Sequence, residues 1–149
     1  MIDWQANILT DTGGIRELLA QAKTIAVLGI KTEAQAGQPA FYVPESLAAA
    51  GLDIIPVPVY YPEVTEILGR PVYRRLVDIP VEVDLVDVFR RPQDIGQHVD
   101  DILAKRPKAV WFQSGIRHNE VAETLARAGI KVVQDRCLMV DYQALTHTR

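Results

Sequence analysis

The segment Thr24 to Pro39, TIAVLGIKTEAQAGQP, constrains the fold of this chain more than any other. Ile25 to Ile30 is an apolar run interrupted only by Gly29, and such a run reads as a strand covered on both faces. A polar stretch follows, and helix-like sequence resumes at Pro39. Strand, phosphate-sized loop and helix, in that order, open an α/β sheet. In such sheets ligands sit beyond the carboxyl ends of the strands, where backbone N–H groups of a loop and a helix start face an anion. A ligand site is therefore expected just after Gly29.

The rest of the chain repeats the alternation. Asp11 or Thr12 caps a helix with Ile15, Leu18, Leu19 and Ala22 on one face. Val43, Leu47 and Ala48 belong to a second helix closed by Gly51. Pro44 suits a first turn better than a helix interior, which allows the regular helix to begin there, with Pro39 to Val43 as a preceding turn. Asp53 to Val57 is the second strand, its Pro56 marking an unused donor or a strand end. The connection from Pro58 to Val83 is too long for a bare loop, so a helical piece is expected at Glu63 to Leu68 or at Arg74 to Val77. Asp84 to Phe89, Lys108 to Gln113 and Ile130 to Val133 are the remaining strands. Ile95, Val99, Ile102 and Leu103, then Val121, Ala122, Leu125 and Ala128, repeat at helical spacing between them.

Five strands alternating with helices imply parallel, right-handed crossovers. The expected fold is α/β: a three-layer, doubly wound, Rossmann-like domain on a parallel five-stranded sheet. A chain of 149 residues, 48% apolar, is expected to form a single domain over 1–149, with a helical extension at about 1–23.

The formal net charge of −3 offers no general attraction to nucleic acid or to an anionic membrane, so neither is an expected partner. Cys137 is the only cysteine, which excludes an internal disulfide or a cysteine-rich zinc site and suits a reducing compartment. The opening MIDWQANILTDTGG reads as neither a signal peptide nor a membrane span, and the expected location is cytoplasmic.

The strand ends gather most of the unusual residues. Gly29-Ile30-Lys31, Val57-Pro58, Phe89-Arg90-Arg91, Gln113-Ser114-Gly115 and Asp135-Arg136-Cys137 all fall at the carboxyl edge. Lys31, Arg90, Arg91, Arg117 and Arg136, set against Glu33 and Asp135, make this edge basic in an acidic protein, as a multiply phosphorylated small molecule requires. The plain alternative for each arginine is a solvated side chain or one paired with a neighbouring carboxylate. A dinucleotide fingerprint is missing: no Gly-x-Gly-x-x-Gly follows the first strand, and no carboxylate follows the second until Glu63. There is no Gly-Lys-Ser/Thr phosphate loop. His98, His118 and His147 lack metal-ligand spacing, and Ser114 lacks a nucleophile elbow.

The blocks IAVLG, QPAFYVPESL, VYRRLVDIP, VDLVDVFRRP, VWFQSGIRHNE and VVQDRCLMV, in that order, resemble the small stand-alone CoA-binding proteins. That family is Rossmann-like and similar to the CoA-binding domain of succinyl-CoA synthetase alpha subunits. The resemblance runs from about Ile25 to Tyr142. It implies coenzyme A or an acyl-CoA as the bound cofactor, with the diphosphate over the loop after Gly29. The adenosine would lie against the ends of the second and third strands, and the pantetheine arm would run towards Gln113 to Gly115. The implied contacts are Gly29, Ile30, Lys31, Pro39, Ala40, Val57, Phe89, Arg90, Arg91, Gln113, Ser114, Gly115, Arg136 and Cys137. The chain departs from the family pattern at Ile30 and Lys31, where a small residue and Ser are usual. It departs again at Gln38 and Ala40 around Pro39, and at Val57-Pro58-Val59 in place of Val-Asn-Pro.

No catalysis follows from the resemblance, because the phosphorylated histidine and nucleotide-grasping parts of the synthetase lie in other domains. The implied role is a non-catalytic binding, sensing or carrier module, with an acyl-CoA-handling enzyme as the kind of partner it would serve. The alternative is an enzyme with an atypical first loop, either an NAD(P)-binding oxidoreductase or an acyl-CoA-handling activity that uses Cys137. Cys137 itself has two readings, a packing residue beside Leu138, Met139 and Val140, or a thiol facing that of the ligand.

Overall fold

The apolar runs become a parallel sheet buried on both faces. In the computed structural model, which describes residues 3–147, the sheet comprises β1 (Thr24–Leu28), β2 (Asp53–Val57), β5 (Leu85–Val88), β6 (Ala109–Phe112) and β7 (Lys131–Val133). A separate antiparallel hairpin, β3 (Glu66–Ile67) and β4 (Arg70–Pro71), lies between β2 and β5 in the chain. The sheet order is β2-β1-β5-β6-β7, and all its pairs are parallel.

Alternation along each strand divides the core into two layers. Ala26, Leu28, Val86, Val88, Val110 and Phe112 face one side, against Ile95 of α3 (Pro92–Ile95), Ile102 of α4 (Val99–Lys105) and Leu125 of α5 (Asn119–Arg127). Ile25, Val27, Leu85, Trp111 and Val133 face the other. There they meet Ile15 and Leu19 of α1 (Thr12–Gln21), Phe41 and Leu47 of α2 (Pro39–Ala49) and Leu138 of α6 (Leu138–His147). The chain leaves β1 towards β2, then crosses back over β1 to β5. The crevice of this doubly wound sheet therefore opens at the carboxyl ends of β1 and β5, the topological switch point.

Asp84, just before β5, holds the starts of the strands level. Its carboxylate accepts the Lys23 and Thr24 amides at 2.9 and 3.0 Å and pairs with Lys108 at 3.2 Å. Burial pushes this carboxyl up, but the two amides and Lys108 together hold it below the ordinary range.

Two local expectations are corrected. The second helix begins at Pro39, and Pro44 lies inside it. Pro44 has no N–H to offer the Ala40 carbonyl one turn back, and the Lys31 amide takes that acceptor at 3.0 Å. An external donor thus fills the gap, and the loop after β1 is tied to α2. The second correction concerns Glu63 to Leu68, which is not helical. Leu68 and Gly69, at φ 55° and 72°, turn the β3–β4 hairpin, the positive-φ pair that a tight hairpin demands. The other expected helical piece, Arg74 to Val77, is met in part by a short 3-10 turn at Leu76–Asp78.

Arg74 organises the segment before the hairpin. Its guanidinium donates to the carbonyls of Tyr60, Tyr61 and Val64 at 3.0, 2.9 and 2.6 Å. Arg74→Ala is expected to loosen residues 58–65 while leaving the sheet intact. Limited proteolysis should then cut this segment first, and unchanged resistance to cleavage would show that Arg74 does not hold it.

Candidate functional site

The switch-point crevice is built around Gly29. It follows β1 at φ +88°, its amide donates to the Val57 carbonyl at 2.9 Å, and the Phe89 amide donates to the Leu28 carbonyl at 2.9 Å. A Cβ at this position would stand 2.3 Å from the Phe89 carbonyl oxygen. The ends of β1 and β5 therefore meet over a residue with no side chain, whose Cβ position the Phe89 carbonyl fills, and together they form the floor of the crevice.

From this floor the chain passes to Lys31, whose amide is fixed on α2. A capping box, in which Thr32 accepts the Ala34 amide and Gln35 accepts the Thr32 amide, folds Glu33–Gln35 into a 3-10 turn. The chain then enters α2 through Gln38. The side chain of Gln38 makes no capping bond to the helix and accepts instead from Lys31 Nζ. On the other side, Gln113 is 4% exposed and its Oε1 accepts the Leu138 amide at 3.1 Å, tying the end of β6 to the first residue of α6. Trp111 Nε1 donates to the Arg136 carbonyl at 2.7 Å, and the Gly115 amide to Asp135 at 2.7 Å. The starts of α2 and α6 are thus anchored on opposite walls of one groove.

That groove has a volume of about 730 Å³. Lys31, Pro39 and Ala40 form one wall, Phe89, Arg90 and Arg91 the centre, and Gln113, Ser114, Gly115 and Cys137 the other wall. Gly29 lies at the strand end that underlies it. Ile30 and Val57 are each 1% exposed and pack their side chains into the two core layers, so only their backbone is near the edge. Arg136 turns away from the groove. Its guanidinium grips Asp141 at 2.8 and 2.6 Å and borders a neighbouring recess with Arg117.

The basic edge is consequently smaller than the count of its cations. Arg91 is bound to Asp94 at 2.7 Å, and Arg136 to Asp141. These hydrogen bonds, reinforced by the carboxylates' charge, raise both guanidiniums above their ordinary values, and the Arg91 bond holds Asp94 below its own. Lys31 and Arg90 have no carboxylate partner among the described residues. Arg90 is 8% exposed, and neutral groups hold it: His98 Nε2 at 3.1 Å from Nε, and the Tyr60 hydroxyl at 3.2 Å from Nη1. Its guanidinium carbon lies 5.6 Å from the Tyr60 ring centre. A buried cation with no counter-charge is costly unless something anionic meets it.

Several residues that sequence reading left out belong to this site. Gln38, Tyr42, Val43, Pro92 and Ile116 also line the groove, while Tyr60 and His98 support its central arginine. Gln38 had a signal, its place just before the helix-opening proline. Tyr60 and His98 had none, because only the fold brings them to Arg90. Ser114 is exposed, and His118 caps α5 by accepting the Val121 amide at 3.1 Å. The His147 side chain lies outside the described residues. Cys137 is half-buried, packing against the α1–α2–α6 core layer while also facing the groove, so both of its readings have a place. A second depression, of about 530 Å³, lies at the opposite edge, and there Lys108 is already paired with Asp84.

The family model of the CoA binding domain matches residues 23–143. The chain belongs to the CoA-binding domain family. A curated relative is the uncharacterized protein YneT of Bacillus subtilis (strain 168), 30% identical over 126 residues, which span 85% of this chain and 90% of the relative. Among solved structures, cell-free ID.343 from Thermus thermophilus is 43% identical with a TM-score of 0.83, covering 91% of this chain and 99% of that one. A hypothetical protein from Pyrococcus horikoshii OT3 is 31% identical with a TM-score of 0.81, covering 94% of each chain. The span matched to the CoA-binding domain contains all of the groove, from Lys31 to Cys137. Among the described residues no helix is long and apolar enough to cross a membrane.

Proposed function

We propose that the protein binds coenzyme A or an acyl-CoA in the switch-point groove and acts as a non-catalytic binding or carrier module. The observation that carries this reading is the pair of cations without carboxylate partners, Lys31 and Arg90, in a groove walled by the start of α2, in a chain of the CoA-binding domain family. The diphosphate lies over the loop after Gly29, near Lys31 and the positive end of the α2 dipole. Arg90 meets a phosphate of the adenosine part, and the pantetheine arm runs past Gln113 to Gly115 towards Cys137. The volume suits a small-molecule site. Two of the polar groups at or behind the groove hold the fold, Gln113 by accepting from α6 and His98 by accepting from Arg90. An enzyme that makes or uses acyl-CoA is the proposed recipient of the bound ligand, in the cytoplasm.

The test is a calorimetric panel of CoA, acetyl-CoA, NAD, NADP and ATP. CoA is expected to bind more tightly than NAD, whose fingerprint loop is missing here, and an NAD affinity equal to that of CoA would overturn the proposal. Lys31→Ala and Arg90→Ala are each expected to weaken CoA binding by about tenfold, since a hydrogen bond to a charged group contributes roughly 1.5–3 kcal/mol. Normal binding by both folded variants would place the ligand elsewhere.

A further inference from the structure

The buried cation of the groove is held by a group that titrates. Two nitrogens of Arg90 are engaged from within the protein, Nε by His98 Nε2 and Nη1 by the Tyr60 hydroxyl, and Nη2 has no partner among the described residues. A protonated imidazole has no lone pair with which to accept, so the bond from Nε requires a neutral ring carrying its proton on Nδ1. The charged groups that face this ring are Arg90 from the turn after β5, Asp94 from α3 and Asp101 from α4. Asp94 is already paired with Arg91, and Asp101 with Arg75. Asp94 also feels the charge of Arg90, but no carboxylate lies within ion-pair distance of that guanidinium among the described residues.

We propose that the Tyr60–Arg90–His98 chain couples binding of a phosphorylated ligand in the groove to protonation of His98, so that the ligand binds more tightly as pH falls. The identity of that ligand rests on the CoA reading above. Burial and then the charge of Arg90 hold the His98 ring below its ordinary value, so it is neutral at neutral pH while the groove is empty. A phosphate at Nη2 offsets the guanidinium charge and lets the same ring take up a proton more readily. Coupling is reciprocal, so a protein in which His98 is already protonated binds the phosphate more tightly. Protonation also ends the Nε bond and frees the Nε–Nη2 edge, with which a guanidinium takes a phosphate bidentately. Tyr60 keeps its hold on Nη1 in both states. His98 is thus a positioning residue whose charge depends on what occupies the groove.

The experiment follows the histidine ring signals of the unaltered protein by NMR across pH, free and saturated with CoA, with His98 assigned by through-bond spectra. The His98 midpoint is expected to move to higher pH when CoA is bound. Calorimetry in parallel compares the unaltered protein with His98→Gln, whose amide oxygen can stand for Nε2 as an acceptor but cannot be charged. Between about pH 8 and about pH 6 the CoA affinity of the unaltered protein should rise about fivefold more than that of the variant. This comparison subtracts the ionisation of CoA's own phosphates. A midpoint unmoved by CoA, or equal pH dependence in the two proteins, overturns the coupling and leaves CoA binding standing. No CoA binding at any pH overturns the reading beneath it, and the coupling with it.

Discussion

Gly29→Ala is expected to destabilise the protein by about 3 kcal/mol or more, a left-handed backbone penalty joined to an overpacking penalty. The residue holds φ +88°, and the added Cβ would stand 2.3 Å from the Phe89 carbonyl oxygen, closer than any relaxed contact. The obstacle is backbone, which cannot rotate aside as a flexible side chain would. Gly51 separates the two terms. It too has a positive φ, +99°, but nothing lies within 4 Å of its Cβ position, so Gly51→Ala should cost only the dihedral penalty of about 1–2 kcal/mol. Urea unfolding of both variants measures the difference. Since a domain of this kind has a net stability of about 5–15 kcal/mol, the Gly29 effect should be plain in the midpoint. Any native population of Gly29→Ala must part the ends of β1 and β5, moving Phe89 and Arg90 and weakening ligand binding. Equal costs at the two glycines would mean that the strand ends are free to separate, and that the groove floor is not built on their close approach.

The layered sheet was legible because its strands are buried on both faces. Ile25 to Leu28 and Val110 to Phe112 needed no polar side, and Gly51 and Gly129 marked helix ends that the fold keeps. The candidate groove was legible as a set of strand ends, since parallel crossovers leave them on one edge whatever the strand order. What sequence could not supply was partnership at a distance. Pro44 looked like a helix start because a missing donor is a local fact, whereas the Lys31 amide that fills the gap arrives from the loop before. The hairpin at Leu68–Gly69 was hidden by a leucine in a conformation that leucine disfavours. Among the cations, the neutralisation of Arg91 by Asp94 had a local signal three residues away. The reverse case, Arg90 held by Tyr60 and His98, had no such signal.

Asp87 carries the other large expected effect, and its sign is opposite. It sits in the middle of β5 between Val27 and Trp111, entirely buried on the face covered by α1, α2 and α6, and two residues before the groove-lining Phe89. Neither of its carboxyl oxygens has a hydrogen-bond partner among the described residues. Burial pushes this carboxyl well above the ordinary range, so the folded protein keeps it protonated where the unfolded chain ionises it. The native state then binds more protons than the unfolded state once pH passes the ordinary carboxylate value of about 4. Asp87's contribution is therefore most favourable below that value. It is lost progressively as pH rises towards the raised folded-state value. Asp87→Val removes the ionisation and the unsatisfied oxygens together and places a strong strand former in an apolar layer. It is expected to stabilise the protein by about 1–3 kcal/mol near neutral pH, the usual cost of an unpaired buried polar group. Asp87→Asn should remove only the pH slope, because an amide stays polar but does not ionise. Urea midpoints at about pH 5 and about pH 8 test both, and the gap between them should shrink in each variant. A less stable Asp87→Val with the gap unchanged would show that the carboxyl has a favourable partner in solution and that its burial is not a strain on the fold.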